Sequence, residues 1–308
     1  IPNVTTADEL MPANALSGAT WSAMLAIGAS VGGIVTAIAG SRAAFVINAA
    51  SFFVSAVFIS RTRYDSTPPP SRRFTGWAAM TGVPDLIEGF RYVRRHSHVA
   101  ALMFVKAGWG LAGGVLLLLT IFGQRIFTVG STSAGGIGIL YGARGIGAGL
   151  GPIALRWILG QQPSTLRASI GPAYFIVGLF YVALAAAPTL PVAALCVLCA
   201  HFSGSILWVY STVLLQMEVP DRFRGRVFAA ELALVTLTSS ISSYVAGYGL
   251  DERHWSPRSM ALWLGMAFCV PGSLWLLMLS RWRPTDKPLE GPGPVQAGEE
   301  EVLEGRVG

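Results

Sequence analysis

Long apolar runs separated by short polar joins constrain this chain more than any other feature. Eight stretches, at about 18–40, 43–60, 98–123, 135–159, 168–187, 190–213, 227–249 and 259–280, stand out. Each approaches the roughly 20 residues that a helix needs to cross a bilayer's hydrocarbon core. In lipid the backbone must satisfy its own polar groups, and runs of this length do so only as helices. Of the 308 residues, 53% are hydrophobic and 12% charged, against roughly 25% charged in soluble domains. A soluble core of this size cannot hide that much apolar surface. The expectation is an all-α polytopic membrane protein, a helical bundle with about eight transmembrane helices. Two joins, "SR" (41–42) and "PTL" (188–190), are so tight that the helices they connect should be antiparallel neighbours.

The net charge of +6 is not a nucleic-acid signature, because Lys and Arg lie between apolar runs and build no basic patch interleaved with aromatics. The charges set topology instead. Of the 22 Lys and Arg, sixteen fall on one side of the predicted spans and four (Arg42, Arg125, Arg253, Arg258) on the other. Lys106 and Arg144 lie within spans. The positive-inside bias puts both chain ends on the cytoplasmic side of the plasma (inner) membrane. Three cysteines, all inside apolar runs, argue against a disulfide framework, and Cys196-x-x-Cys199 reads as small lipid-buried residues before it reads as a metal or redox pair. No cofactor and no metal is expected.

Residues 64–96 form a cytoplasmic linker. "RTRYDSTPPPSRRF" (61–74) is Pro- and Ser-bearing and should be mobile. "DLIEGFRYVRRH" (85–96) sets Leu86, Ile87, Phe90 and Val93 at helical spacing with Arg91, Arg94 and Arg95 off that stripe, the pattern of a basic amphipathic helix on the inner leaflet. The tail, 284–308, is Pro- and Gly-rich and then acidic, and should be disordered.

An internal repeat links the two ends. Ile1-Pro2-Asn3 parallels Val219-Pro220-Asp221, and the matching exits "ISRTR" (59–63) and "LSRWR" (279–283) follow at nearly equal distances. Parallel repeats of spans recur in secondary transporters. Four further spans separate the copies. On a six-span unit, residues 1–63 are then the remainder of an N-terminal bundle, two helices, and 97–283 a complete six-helix C-terminal bundle. This arithmetic reads Ile1 as a truncation point.

Those features together resemble the major facilitator superfamily, in the exporter branch of enterobactin exporters and macrolide-efflux proteins. "GASVGG" (28–33) resembles the family's antiporter motif at Gly28, Gly32 and Gly33, with Ala29 where the motif has Pro. "AAFVINAASFFVSA" (43–56) resembles its sixth helix and "EGFRYVRRHSHV" (88–99) its inter-domain helix. "VPDRFRGRVFA" (219–229), with Pro220, Asp221, Arg224, Gly225 and Arg226, resembles the cytoplasmic loop between its tenth and eleventh helices. The acidic–basic gating pattern has no counterpart in 156–167, which carries no acid.

Ionisable groups inside a bilayer are costly and mark function by default. Lys106 and Arg144, eight and nine residues into consecutive spans, should reach a depth of about 12–14 Å. There they could hold an anionic substrate or pair with an acid from the half expected to be missing; the alternative is a snorkelling or carbonyl-bonding cation. Glu231 reads first as an interfacial ion pair with Arg224 or Arg226, and second as a proton-titrating gate. His201 reads as a packing residue before a proton relay. Trp109, Tyr141, Trp208 and Tyr210 are candidate pocket walls or interfacial anchors. Gly138/Gly142, Gly145/Gly149 and Gly147/Gly151 are small-residue pairs that let helices touch. "GLGPIA" (149–154), with no strand before it, carries no nucleotide site. "GWGLAGG" (108–114) should let its helix bend. "TLTSSISSY" (236–244) suits either a polar cavity wall or close helix packing.

The resemblance implies a secondary active transporter and not an enzyme: proton-coupled efflux of an amphipathic small molecule (drug, macrolide or siderophore-like) by alternating access, as a monomer. Its partners are that molecule, protons and the bilayer. The alternatives are a non-transporting receptor or scaffold, and a membrane-embedded enzyme; the latter would want clustered acids and histidines, and only His201 and Glu231 lie well inside the spans.

Overall fold

The structure, a computed structural model, describes residues 7–61, 83–129, 134–160 and 162–281. The mobile linker expected at 61–74, the disordered tail and the opening Ile1-Pro2-Asn3 therefore lie almost wholly outside the described residues. What is described is helical nearly throughout, with no strand, and the all-α polytopic membrane fold is the fold observed.

Helix α1 (Ala7–Arg61) is broken once, at Gly40, whose φ of 80° and ψ of 165° leave the helical region. Only glycine takes that conformation without a Cβ clash. The antiporter-like stretch 28–33 lies before the break and runs on as regular helix. Beyond the break, Arg42–Arg61 is long and apolar enough to span a membrane, yet none of it is buried. The antiparallel packing expected of 43–60 against 18–40 is thus not seen. The earlier part of α1 packs instead on α5 (Ala134–Leu159) and α7 (Leu190–Glu218). There Asn14 Nδ2 donates to Gln216 Oε1 at 2.7 Å.

Helix α2 (Val83–Arg95) is amphipathic, as its pattern predicts, and it docks on α8 (Asp221–Asp251). Gly89 is buried against Arg226, the Tyr92 ring stacks on Phe223 at 4.4 Å, and Arg226 Nη1 meets Glu88 Oε2 at 2.9 Å. Ile87, Phe90 and the three arginines stay exposed.

Five more membrane-length helical segments follow α2, within a bundle that also includes α5. The first, Ser97–Ile126, is composite: α3 (Ser97–Trp109), a 3₁₀ turn at Gly110–Ala112, α4 (Gly113–Ile121) and a π turn at Phe122–Ile126. The irregular turn falls inside "GWGLAGG", where bending is expected, and such mid-helix 3₁₀ turns often mark hinges. Then come α6 (Pro163–Ala185), α7, and α8. The final one, Pro257–Arg281, is α9 (Pro257–Ala267) and α10 (Cys269–Arg281), separated at Phe268. With Arg42–Arg61, six helices among the described residues are long and apolar enough to cross a membrane. Of the two other expected spans, 18–40 is helical within α1, and 135–159 is α5, whose glycines and Arg144 dilute its apolar content. α5 ends at Gly160, where φ is 78°, the usual helix-stopping use of glycine.

The bundle is held by close approach as much as by bulk. α5 lies on α7 so tightly that a Cβ on Gly147 or Gly151 would strike the backbone of Leu198 or Phe202. The Gly138/Gly142 pair does not work this way, since nothing lies within 4 Å of either. α6 packs between α7 and α9, joined to α7 by the tight turn expected at "PTL". Tyr174, Tyr181, Tyr210, Phe122 and Phe268 fill the core. Only Val219 and Pro220 interrupt the chain between α7 and α8. The cytoplasmic loop expected at 219–229 is therefore mostly the opening turns of α8, with Asp221, Arg224, Gly225 and Arg226 on helix.

Candidate functional site

A cavity of about 500 Å³ opens within the bundle, in the size range of small-molecule sites. Five elements build it. Trp109 ends α3, and Ala112, Gly113, Val115 and Leu116 bring the hinge and α4 to its wall. Arg144 comes from α5, and His201 and Trp208, seven residues apart on one face, from α7. The fourth wall is a stripe of α8: Leu232, Val235, Thr236, Ser239, Ser240 and Ser243. Its three- and four-residue spacing puts all six on one helix face.

The hydroxyl run 236–244 serves both of its expected purposes, on neighbouring flanks of the helix. Thr236, Ser239, Ser240 and Ser243 look into the cavity. Ser242 turns away, donates to Leu111 O at 2.6 Å and accepts from Gly114 N at 3.1 Å. Side chains at Gly110 and Gly113 would collide with Thr238 and Ser239. Small residues on both helices thus let α8 press against the hinge while its other edge stays open to the cavity.

Arg144 is the cavity's cation. Its Nε is buried without a hydrogen-bond partner, and among the described residues no carboxylate pairs with it. His201 is buried at the back, its Nε2 at 2.8 Å from Tyr181 Oη and its ring edge-on to Trp109 at 5.6 Å. It is a satisfied core histidine, as expected, that also presents a face to the cavity. Trp109 lines the cavity, lodged over the bare backbone of Gly204. Tyr141 does not. It reaches behind the wall, donating to Leu116 O at 3.0 Å and meeting Thr120 Oγ1 at 3.2 Å. Tyr210 is fully buried away from the cavity.

Lys106 and Glu231 correct the sequence expectation most sharply. They form one ion pair, Nζ to Oε2 at 2.7 Å, with side chains 5% and 3% exposed. Lys106 is therefore not a second cation facing a substrate. Glu231 does not latch to Arg224 or Arg226, for a simple reason: five positions along a helix point away, and seven place the groups two turns apart. Those arginines are engaged elsewhere, Arg224 with Gln216 O at 3.0 Å and Arg226 with Glu88. The pair still borders the site. The Lys106 ammonium lies 4.9 Å from the centre of the Trp208 ring, which lines the cavity. Glu231 immediately precedes the cavity residue Leu232, and its Oε1 is buried without a partner. Among the described residues no three of His, Cys, Asp and Glu gather as a metal site.

A bundle of membrane-length helices around a mostly apolar cavity of small-molecule size, with a buried ion pair at its wall, is the architecture of a membrane transport protein. The sequence matches the family described as Major Facilitator Superfamily over residues 1–241, most of its length, and the chain belongs to that superfamily of transporters. Among curated proteins and among solved structures, none matches it. Leu232, Val235, Val115 and Leu116 carried no sequence signal, because an apolar residue facing a cavity looks the same as one facing lipid.

Proposed function

We propose that this protein is a proton-coupled exporter of an amphipathic small molecule, working as a monomer in the plasma membrane with both chain ends cytoplasmic. The observation that carries the reading is the cavity itself. Among the described residues it combines apolar wall, aromatic rings and hydroxyls around one unpaired cation, the lining an amphipathic solute requires.

Substrate binds among Trp109, Trp208, Arg144 and the hydroxyl face of α8. The coupling site is Glu231. Its carboxylate is held by Lys106, and its free oxygen can take a proton without displacing the residues around it. Protonating Glu231 removes the charge that balances Lys106, so proton occupancy changes the force joining α3 to α8. Because α8 also forms the hydroxyl wall, that change reaches the cavity directly. The 3₁₀ turn at Gly110–Ala112 gives the helix carrying Trp109 a place to bend as access alternates.

The test is export from energised cells expressing the complete coding sequence, followed with fluorescent amphipathic dyes. Expressing cells should retain less dye than controls, and a protonophore should abolish the difference. Equal retention in both cell types, or export indifferent to the protonophore, would overturn the reading.

A further inference from the structure

From the charge inventory of the cavity, we infer that the transported molecule is an organic monoanion, a carboxylate or sulfonate carried on an aromatic or apolar body. This inference rests on the transport reading and specifies its substrate. Among the described residues, the cavity wall holds one permanent charge, the guanidinium of Arg144, and no acid lines it. The acid nearest in sequence to that lining, Glu231, is committed to Lys106 at 2.7 Å. Arg144 Nε is buried with no acceptor. A cation left in that condition inside a bilayer is expensive, and an anion arriving in the cavity removes the expense. A cationic solute would meet the guanidinium and find no counter-charge.

The rest of the lining sets the body of the ligand. Trp109 and Trp208 offer indole surfaces, with Val115, Leu116, Leu232 and Val235 as apolar wall. On the α8 side Ser239 and Ser243 bring hydroxyls to the lining, while the Thr236 and Ser240 hydroxyls donate to Leu232 O and Thr236 O. Arg is suited to this work because its planar fork bonds a carboxylate at two points, whereas Lys offers a point charge. One unpaired cation matches one negative charge. A dianion would carry its second charge into a low-dielectric site with hydroxyls alone to receive it.

The experiment measures equilibrium binding to the purified full-length protein in lipid nanodiscs, by calorimetry, with three ligands of nearly one shape. These are 2-naphthoate, neutral 2-naphthamide and cationic 2-naphthylmethylammonium. The naphthoate should bind saturably and at least about tenfold tighter than either isostere, as a close charge pair allows. Arg144→Ala should erase that preference while leaving weak, charge-blind binding. Arg144→Lys should keep the preference with reduced affinity. Each variant is compared at matched thermal unfolding midpoint, and the amide serves as the internal check that the cavity is intact. Equal or tighter binding of the amide or the ammonium ion would overturn the inference, as would an anion preference that survives in Arg144→Ala. An internal carboxylate that neutralises Arg144 would appear as the first of these outcomes. If naphthoate binds as stated but expressing cells export nothing, the transport reading fails and the anion site stands. If cells export cationic dyes alone, the reverse holds.

Discussion

Lys106 and Glu231 sit 125 residues apart in sequence and 2.7 Å apart in space, both almost wholly out of contact with solvent. Taking two charges out of water costs several kcal/mol per ion, and their attraction offsets that cost only while both are present. Removing one partner should therefore be worse than removing both. Lys106→Met or Glu231→Leu alone is expected to lower stability by about 3–5 kcal/mol, while the double variant recovers most of that loss. Thermal unfolding in nanodiscs checks the ranking. Proton-driven export should separate from stability in the same set: the double variant folds but does not couple, because it has no carboxylate left to carry the proton. A lone Glu231→Leu protein as stable as the parent would show that the pair has no structural weight.

Between elements, the contacts that matter are those where backbones come close enough to exclude a side chain. Gly147 and Gly151 are such places on α5, with Leu198, Phe202 and Ser205 of α7 directly against them. Gly138, on the same helix, has nothing within 4 Å. Gly147→Leu should push α5 off α7 and cost at least about 1–3 kcal/mol, the usual range for overpacking. Gly138→Ala should be neutral or slightly stabilising, since Ala is the better helix former by roughly 1 kcal/mol. Unfolding midpoints of the two variants against the parent decide the matter. Both glycines carry the same small-residue signal in sequence, so equal effects would mean that the α5–α7 interface lies elsewhere. The spacing rule identified the right helix but could not say which of its faces is covered, because that depends on a partner about 50 residues away.

At the scale of the whole molecule, the helical membrane-spanning class and the tight α6–α7 turn were legible because run length and polar joins are local properties of the chain, whereas helix starts were not: α8 begins at Asp221, six residues before its apolar run. The hydroxyl face of α8 was legible for the same reason. The exchange of partners around Lys106 was not. It depends on α3 lying beside α8, and nothing in either segment names the other. Arg144 could be singled out by depth alone, whereas its lack of a counter-charge emerged once Glu231 was seen to be taken. The docking of α2 was hidden too. Its amphipathic pattern is common to a membrane-surface helix and to one that packs a Tyr and a Gly on a neighbour, and the Glu88–Arg226 pair spans 138 positions.

The central claim is that one cavity is reached alternately from the two sides of the membrane. Ser240 reports it, because it lines the cavity and is exposed within it. In a background with Cys196, Cys199 and Cys269 replaced by Ala or Ser, Ser240→Cys is labelled with a membrane-impermeant thiol reagent, applied to intact cells and separately to inside-out vesicles. Alternating access predicts labelling from both faces, with naphthoate and an imposed proton gradient shifting the balance between them in opposite directions. Labelling from a single face under every condition would contradict the account, and would make the cavity the pocket of a receptor instead of the pathway of a transporter.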